Sequence, residues 1–172
     1  MVYPIVKLFV DPVLEREAEA VTEFDTPELH KFLADMFESM YAHKGVGLAA
    51  PQIGFARKIA VVDTSVGEKP EDKLVLINPK ILRLEGKQTG EEGCLSIPGF
   101  REQVSRAKRA TMRAQNAKGE WYEMTGEDLL ARAFQHEIDH LYGKLYIKHI
   151  SALKRDLIKR KVKKLVKAGE WK

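Results

Sequence analysis

The sequence predicts an α+β fold, on three observations. Its strand-like stretches cluster ahead of a helix that carries the pattern H-E-x-x-H. They do not alternate with helices, as a doubly wound α/β sheet would require. One amphipathic stretch before the strands and another near the C-terminal end supply further helices. The 172 residues, 44% apolar and 31% charged, suit one ordinary globular domain.

The first helix is expected to begin near Asp25-Thr26-Pro27-Glu28, where Asp or Thr can cap it and Pro fits the first turn. Leu29, Phe32, Leu33, Met36, Phe37 and Met40 follow at spacings of three and four, which gives one core-facing stripe. The stretch Gly45-Val46-Gly47-Leu48-Ala49-Ala50-Pro51-Gln52-Ile53-Gly54 cannot be regular helix throughout. Strands are expected at 58–62, 74–77 and 81–84, and a hairpin at 111–115 and 120–124 turns around Asn116-Ala117-Lys118-Gly119. The H-E-x-x-H helix is expected to start at Thr125 and stop at Gly143, and a last helix to run from Ser151 to Ala168.

No apolar run approaches the roughly 20 residues of a membrane-spanning helix. The segment from Met1 to Lys7 lacks a signal peptide's apolar stretch and cleavage site. A cytoplasmic setting without a membrane partner is therefore expected. The net charge of +4 is uneven: residues 154–172 sum to +7 and the remainder to −3. Such a tail suits an acidic partner, or equally a solvated helix face.

The chemistry concentrates in Gln135-His136-Glu137-Ile138-Asp139-His140. Four residues apart on a helix, His136 and His140 project from one face and can grip one metal ion. Glu137 lies beside them, placed to handle the proton of an attacking water. Catalytic metal sites usually have three protein ligands and keep one position open. Two candidates exist for the third: His149, and Cys94, the single cysteine, in the short extended segment bracketed by Gly93 and Pro98. A thiolate with two imidazoles suits a divalent ion of borderline softness.

Gly45-Val46-Gly47-Leu48-Ala49-Ala50-Pro51-Gln52, Glu92-Gly93-Cys94-Leu95-Ser96 and His136-Glu137-Ile138-Asp139-His140 together resemble the three motifs of the peptide deformylases. Order and spacing agree as well, with 42 residues from Gln52 to Cys94 and 42 from Cys94 to His136. The resemblance covers the chain to about Ile150. It implies an α+β fold in which antiparallel strands pack around a central helix carrying HExDH, with a further C-terminal helix. Residues 1–150 would be the catalytic domain, and 151–172 a basic helix that is part of it or appended to it.

The resemblance also assigns roles. Cys94, His136 and His140 would bind one divalent metal ion, ferrous iron first, with zinc, nickel or cobalt as alternatives. Glu137 would be the general acid and base. Gln52 and the backbone N–H of Leu95 would stabilise the oxyanion, and the backbone at Val46 and Gly47 would pair with a formyl-methionyl nascent peptide. Formate would be released.

Helical spacing adds Leu129 and Ala133, with Arg132 nearby, as candidates for a methionine pocket; Val46 and Ile97 are further candidates, and ordinary core is the alternative reading. Glu92 and Arg106 are a candidate pair that would fix the Cys94 segment. Asp139 is expected to make a structural contact, and His30 and His43 to lie outside the chemistry. A basic C-terminal helix would suit the phosphate-rich ribosome. Two rival readings are another H-E-x-x-H metalloenzyme such as an endopeptidase, and a nonenzymatic ribosome-binding protein with a structural metal.

Overall fold

A computed structural model describes residues 1–171. Helix α1 (Pro27–Ala42) is capped by Thr26, whose hydroxyl accepts from the Leu29 N–H. Asp25 instead contacts His30 at 2.7 Å. The glycine-rich stretch then splits into strand β1 (Gly47–Ala49) and a 3-10 turn (Ala50–Ile53), so it is indeed not a helix.

Strands β2 (Ile59–Val62), β3 (Leu74–Glu85), β6 (Arg109–Gln115) and β7 (Trp121–Glu127) join β1 in one antiparallel sheet of order β1-β2-β3-β6-β7. The two strands expected at 74–77 and 81–84 are one. Pro79 and Asn78, which takes a positive φ of 51°, interrupt the hydrophobic alternation, but the pairing resumes across a register shift between Ile77 and Lys80. A bulge of this kind bends a strand without ending it. The expected hairpin is present, with both strands longer than the apolar pattern suggested.

The sheet is covered on both faces, which explains why β2 is buried at every position. On one face Leu48, Ile59, Val61 and Ile77 pack with Leu29, Met36 and Met40 of α1. On the other, Ala49, Ala60, Val62, Leu76 and Met112 pack with Phe134, Ile138 and Leu141 of α2 (Asp128–Leu141). Helix α2 thus lies across the sheet as the central helix, and the fold is α+β as the sequence predicts. It starts three residues later than expected, because Thr125, Gly126 and Glu127 complete the pairing of β7 with Thr111, Ala110 and Arg109. Gly143, at a φ of 76°, follows its C-terminal end.

A second, two-stranded sheet, β4 (Gln88–Cys94) with β5 (Ile97–Arg106), carries Cys94 at its tip. The sequence alone predicts only that the segment between Gly93 and Pro98 is extended. Helix α3 (Ala152–Lys167) follows a 3-10 turn at Tyr146–His149 and is capped by Ser151. Its residues Ile158 and Val162, with Trp171, fill a third cluster with Leu8, Leu14, Ile97, Val104 and Tyr146. The Trp171 indole N–H donates to the Leu8 carbonyl at 2.7 Å. No helix among the described residues is long and apolar enough to cross a membrane.

A candidate metal centre in a cleft between helix and hairpin

The tip of the β4–β5 hairpin meets α2 at the buried His140. Cys94 Sγ stands 3.4 Å from His140 Nε2, which is itself 3.2 Å from His136 Nε2. The ligand atoms of all three residues lie within 4.8 Å of one another. Tetrahedral ligands about 2.0–2.3 Å from a shared ion stand roughly 3.3–3.8 Å apart, and the contacts of 3.4 and 3.2 Å are close to that range. His149, the other candidate ligand, is elsewhere: its Nε2 contacts Asp139 at 2.8 Å.

Two buried polar atoms here find no hydrogen-bond partner within the described protein, Glu137 Oε2 and His140 Nδ1. An unpartnered buried carboxylate oxygen is costly and calls for a ligand or a water. Burial pushes the Glu137 carboxyl up to about 7, against the pull of His136. Burial and the neighbouring His136 hold His140 well below the usual histidine range, hence neutral, the form a metal requires. Burial disfavours charge on His136 too, but Cys94 and Glu92 outweigh it and raise its value. Surroundings that favour a proton there also favour a metal cation.

Behind the ligands lies a buried ionic network. Glu92 Oε1 accepts from His136 Nδ1 at 2.5 Å and from Arg106 Nη2 at 2.7 Å. Its Oε2 accepts from Arg106 Nε at 3.2 Å and Arg132 Nη1 at 2.7 Å. Burial opposes the charge on Glu92, but the bonds from His136 and Arg106 prevail and hold the carboxyl well below the usual range. Arg106 Nη1 also donates to Asp139 at 2.8 Å, so Asp139 makes the expected structural contact. The Glu92–Arg106 pair is present as anticipated. The second arginine on Glu92 was not anticipated, since spacing along a helix shows which residues share a face and not what meets them from a hairpin.

Gln52 is buried, and its side-chain oxygen accepts from the Ala49 N–H at 3.0 Å. That bond turns the amide Nε2 toward Cys94 Sγ, 3.4 Å away, and Ser96 Oγ, 3.5 Å away. A cleft of about 550 Å³ opens in front of the cluster. Val46, Gly47, Gln52 and Leu95 line it on one side, and Leu129, Arg132, Ala133, His136 and Glu137 on the other. Ile97, Phe100 and Arg101 close part of the hairpin wall. Ala133 is buried while Leu129 is half exposed at the rim. His30 and His43 are not among the lining residues; His43 Nε2 meets the Tyr3 carbonyl at 3.0 Å.

A thiol, two imidazoles and one buried carboxyl group at the base of a cleft are the donor set of a metal-dependent hydrolase. The comparisons with known proteins give the family. Residues 2–156 match the Polypeptide deformylase family. The chain is 60% identical over 171 residues to the peptide deformylase of Acidobacterium capsulatum, covering 99% of each chain. It is 46% identical to that of Alkalilimnicola ehrlichii, covering 98% of this chain and 90% of the relative. The crystal structure of a peptide deformylase from Legionella pneumophila superposes with a TM-score of 0.89 at 40% identity, covering 100% of this chain and 99% of that one. The chain belongs to the polypeptide deformylase family, metal-dependent enzymes that remove the N-formyl group from nascent polypeptides.

Proposed function

We propose that Cys94, His136 and His140 hold one divalent metal ion, and that Glu137 is the general acid and base of deformylation. The observation that carries this reading is the convergence of three ligand atoms with the Glu137 carboxyl, whose Oε1 lies 3.9 Å from His136 Nε2 and whose Oε2 has no partner among the described residues. The donor set accommodates several ions, and ferrous iron is the one proposed first, ahead of zinc, nickel or cobalt. When bound, such an ion supplies Lewis acidity, which lowers the pKa of water at its surface and polarises a carbonyl.

The residues of the chain do the rest. Glu137 Oε2 accepts the proton of the attacking water and returns it to the leaving amine. Burial, which raises its carboxyl above the ordinary glutamate range, favours its taking up that proton. Charge that develops on the formyl oxygen is met by Gln52 Nε2 and the Leu95 N–H. The bond from Ala49 fixes the Gln52 amide beforehand, so it does not reorganise during the reaction. The backbone at Val46 and Gly47, beside the β1 edge of the main sheet, pairs with the peptide. Leu129 and Ala133 shape the pocket for the methionine side chain.

The decisive experiment measures formate release from a formyl-methionyl peptide by iron-loaded protein without oxygen, beside Glu137→Gln. Turnover by the wild type alone supports the assignment. Equal turnover by Glu137→Gln removes Glu137 from the chemistry.

Residues 1–150 form the catalytic unit in this reading, with the basic segment 151–172 built onto it through α3, since Val162 and Trp171 share a cluster with Leu8 and Tyr146. The enzyme works in the cytoplasm, where nascent chains emerge. The exposed Arg160, Lys161, Lys163, Lys164 and Lys167 of α3, with Lys159, give it a face for ribosomal RNA phosphates. Deleting α3 would open the Leu8 cluster, so the test is replacement of these residues by Gln. Ribosome affinity should fall and lose its salt dependence; unchanged affinity would refute the docking role.

A further inference from the structure

We propose that Arg132 is a positioning residue that couples the substrate pocket to the metal ligands: its stem walls the cleft while its guanidinium clamps the hairpin of Cys94 to the helix of His136 and His140. The pocket half of this inference rests on the reading of the cleft as the methionine site.

Arg132 precedes His136 by four residues on α2, so both side chains project from one face. It lines the cleft, yet its side chain is only 11% exposed. The guanidinium is held by both strands of the hairpin. On β4, Nη1 donates to Glu92 Oε2 at 2.7 Å and Nη2 approaches Gln88 Oε1 at 3.4 Å. On β5, the Val104 carbonyl accepts from Nη1 and Nη2 at 3.3 and 3.2 Å. The cysteine ligand belongs to the hairpin and both histidine ligands to the helix. Arg132 therefore spans the joint whose closure brings the three together.

The second part of the coupling runs through Glu92. The carboxylate that fixes the His136 ring is itself held by Arg106 from one side and by Arg132 from the other. Without Arg132, Glu92 Oε2 keeps only the longer Arg106 Nε bond, so the carboxylate that orients the His136 ring is held from one side only. Partners of this outer kind typically contribute about 10- to 100-fold in metal affinity.

Two variants and two readouts test this. The first readout is release of metal from the loaded protein to a chelator, with the thiolate absorption of the cobalt-substituted protein beside it. The second is the ratio of kcat/KM for formyl-methionyl over formyl-alanyl peptides. Arg132→Ala should release metal about 10- to 100-fold faster, shift the cobalt spectrum, and lower the selectivity ratio about tenfold. Arg132→Lys keeps the stem and charge but not the bridging bonds. It should keep the selectivity and release metal at an intermediate rate, and it carries the test if the alanine variant does not fold. Metal release at the wild-type rate in both variants overturns the clamp. Faster release with unchanged selectivity in Arg132→Ala overturns the pocket role and with it the coupling. A wild type inactive on both peptides would sink the proposed reaction, while metal release would still decide the clamp.

Discussion

A Cβ added to Gly47 would stand 2.8 Å from both Cγ and Oε1 of Glu137. The strand edge proposed to receive the peptide and the carboxylate proposed to move the proton are thus in direct contact, with no room for a methyl group. Gly47→Ala must push the Glu137 side chain aside. A misplacement of about 1 Å can cost on the order of 100-fold in rate, so kcat should fall by that order while bound metal stays at one ion per chain. Metal content and formate release measured on one preparation check this, and full activity would show that Glu137 has slack.

Arg106 presents the opposite situation, a buried charge whose partners are all charged. It is 3% exposed and bonds to Glu92 and Asp139, themselves 5% and 25% exposed. Removing one member of such a buried pair costs roughly 3–5 kcal/mol, because the other is left uncompensated. Arg106→Ala should therefore lower the stability of the metal-free protein by about that amount in urea titration. A change below about 1 kcal/mol would mean that Arg132 and water suffice for Glu92.

These two sites differ in how far the sequence discloses them. The cluster of Cys94, His136 and His140 was legible because helical spacing puts the two histidines on one face, and because the resemblance to the deformylase motifs implies Cys94 beside them. The Gly47–Glu137 contact was not, since it joins a strand edge to a helix 90 residues away in the chain. Strand lengths were misread where polar residues sit in paired strands. Thr125, Gly126 and Glu127 resemble a helix start, yet their partners across β6 keep them extended. The β4 sequence Gln88-Thr89-Gly90-Glu91-Glu92 carries no apolar alternation, and its hairpin is visible only once β5 lies beside it.

Asp63 offers a test by pH. It is fully buried just after β2, and its N–H donates to the Val46 carbonyl at 2.8 Å, which holds the cleft strand in place. Burial works against its charge, but hydrogen bonds from Tyr41, from Ser65 and from the Gly67 N–H outweigh it and depress the carboxyl below its ordinary value. A depressed folded value means that the stabilisation is complete above the unfolded value of about 3.9 and fades as pH falls through the folded one. Asp63→Asn should cost roughly 1.5–3 kcal/mol at pH 7. The gap to wild type should narrow in acid below about pH 4. A gap independent of pH would show that the loss is one of shape and not of charge.

Gln52 separates oxyanion stabilisation from loop support. Its two amide ends serve different neighbours: the oxygen ties Ala49, and Nε2 faces Cys94 and Ser96. If the amide only secured the loop, Gln52→Glu, which keeps the acceptor for Ala49, would retain most of the rate. If Nε2 meets the developing oxyanion, both Gln52→Glu and Gln52→Leu should lose about 100- to 1000-fold in kcat. The glutamate should be the worse of the two, because it sets a negative charge where negative charge develops. Comparing kcat for the pair, with KM and metal content recorded for each, decides between the two roles. A glutamate variant that matches wild type would return Gln52 to the scaffold and leave the Leu95 N–H as the protein's own oxyanion donor.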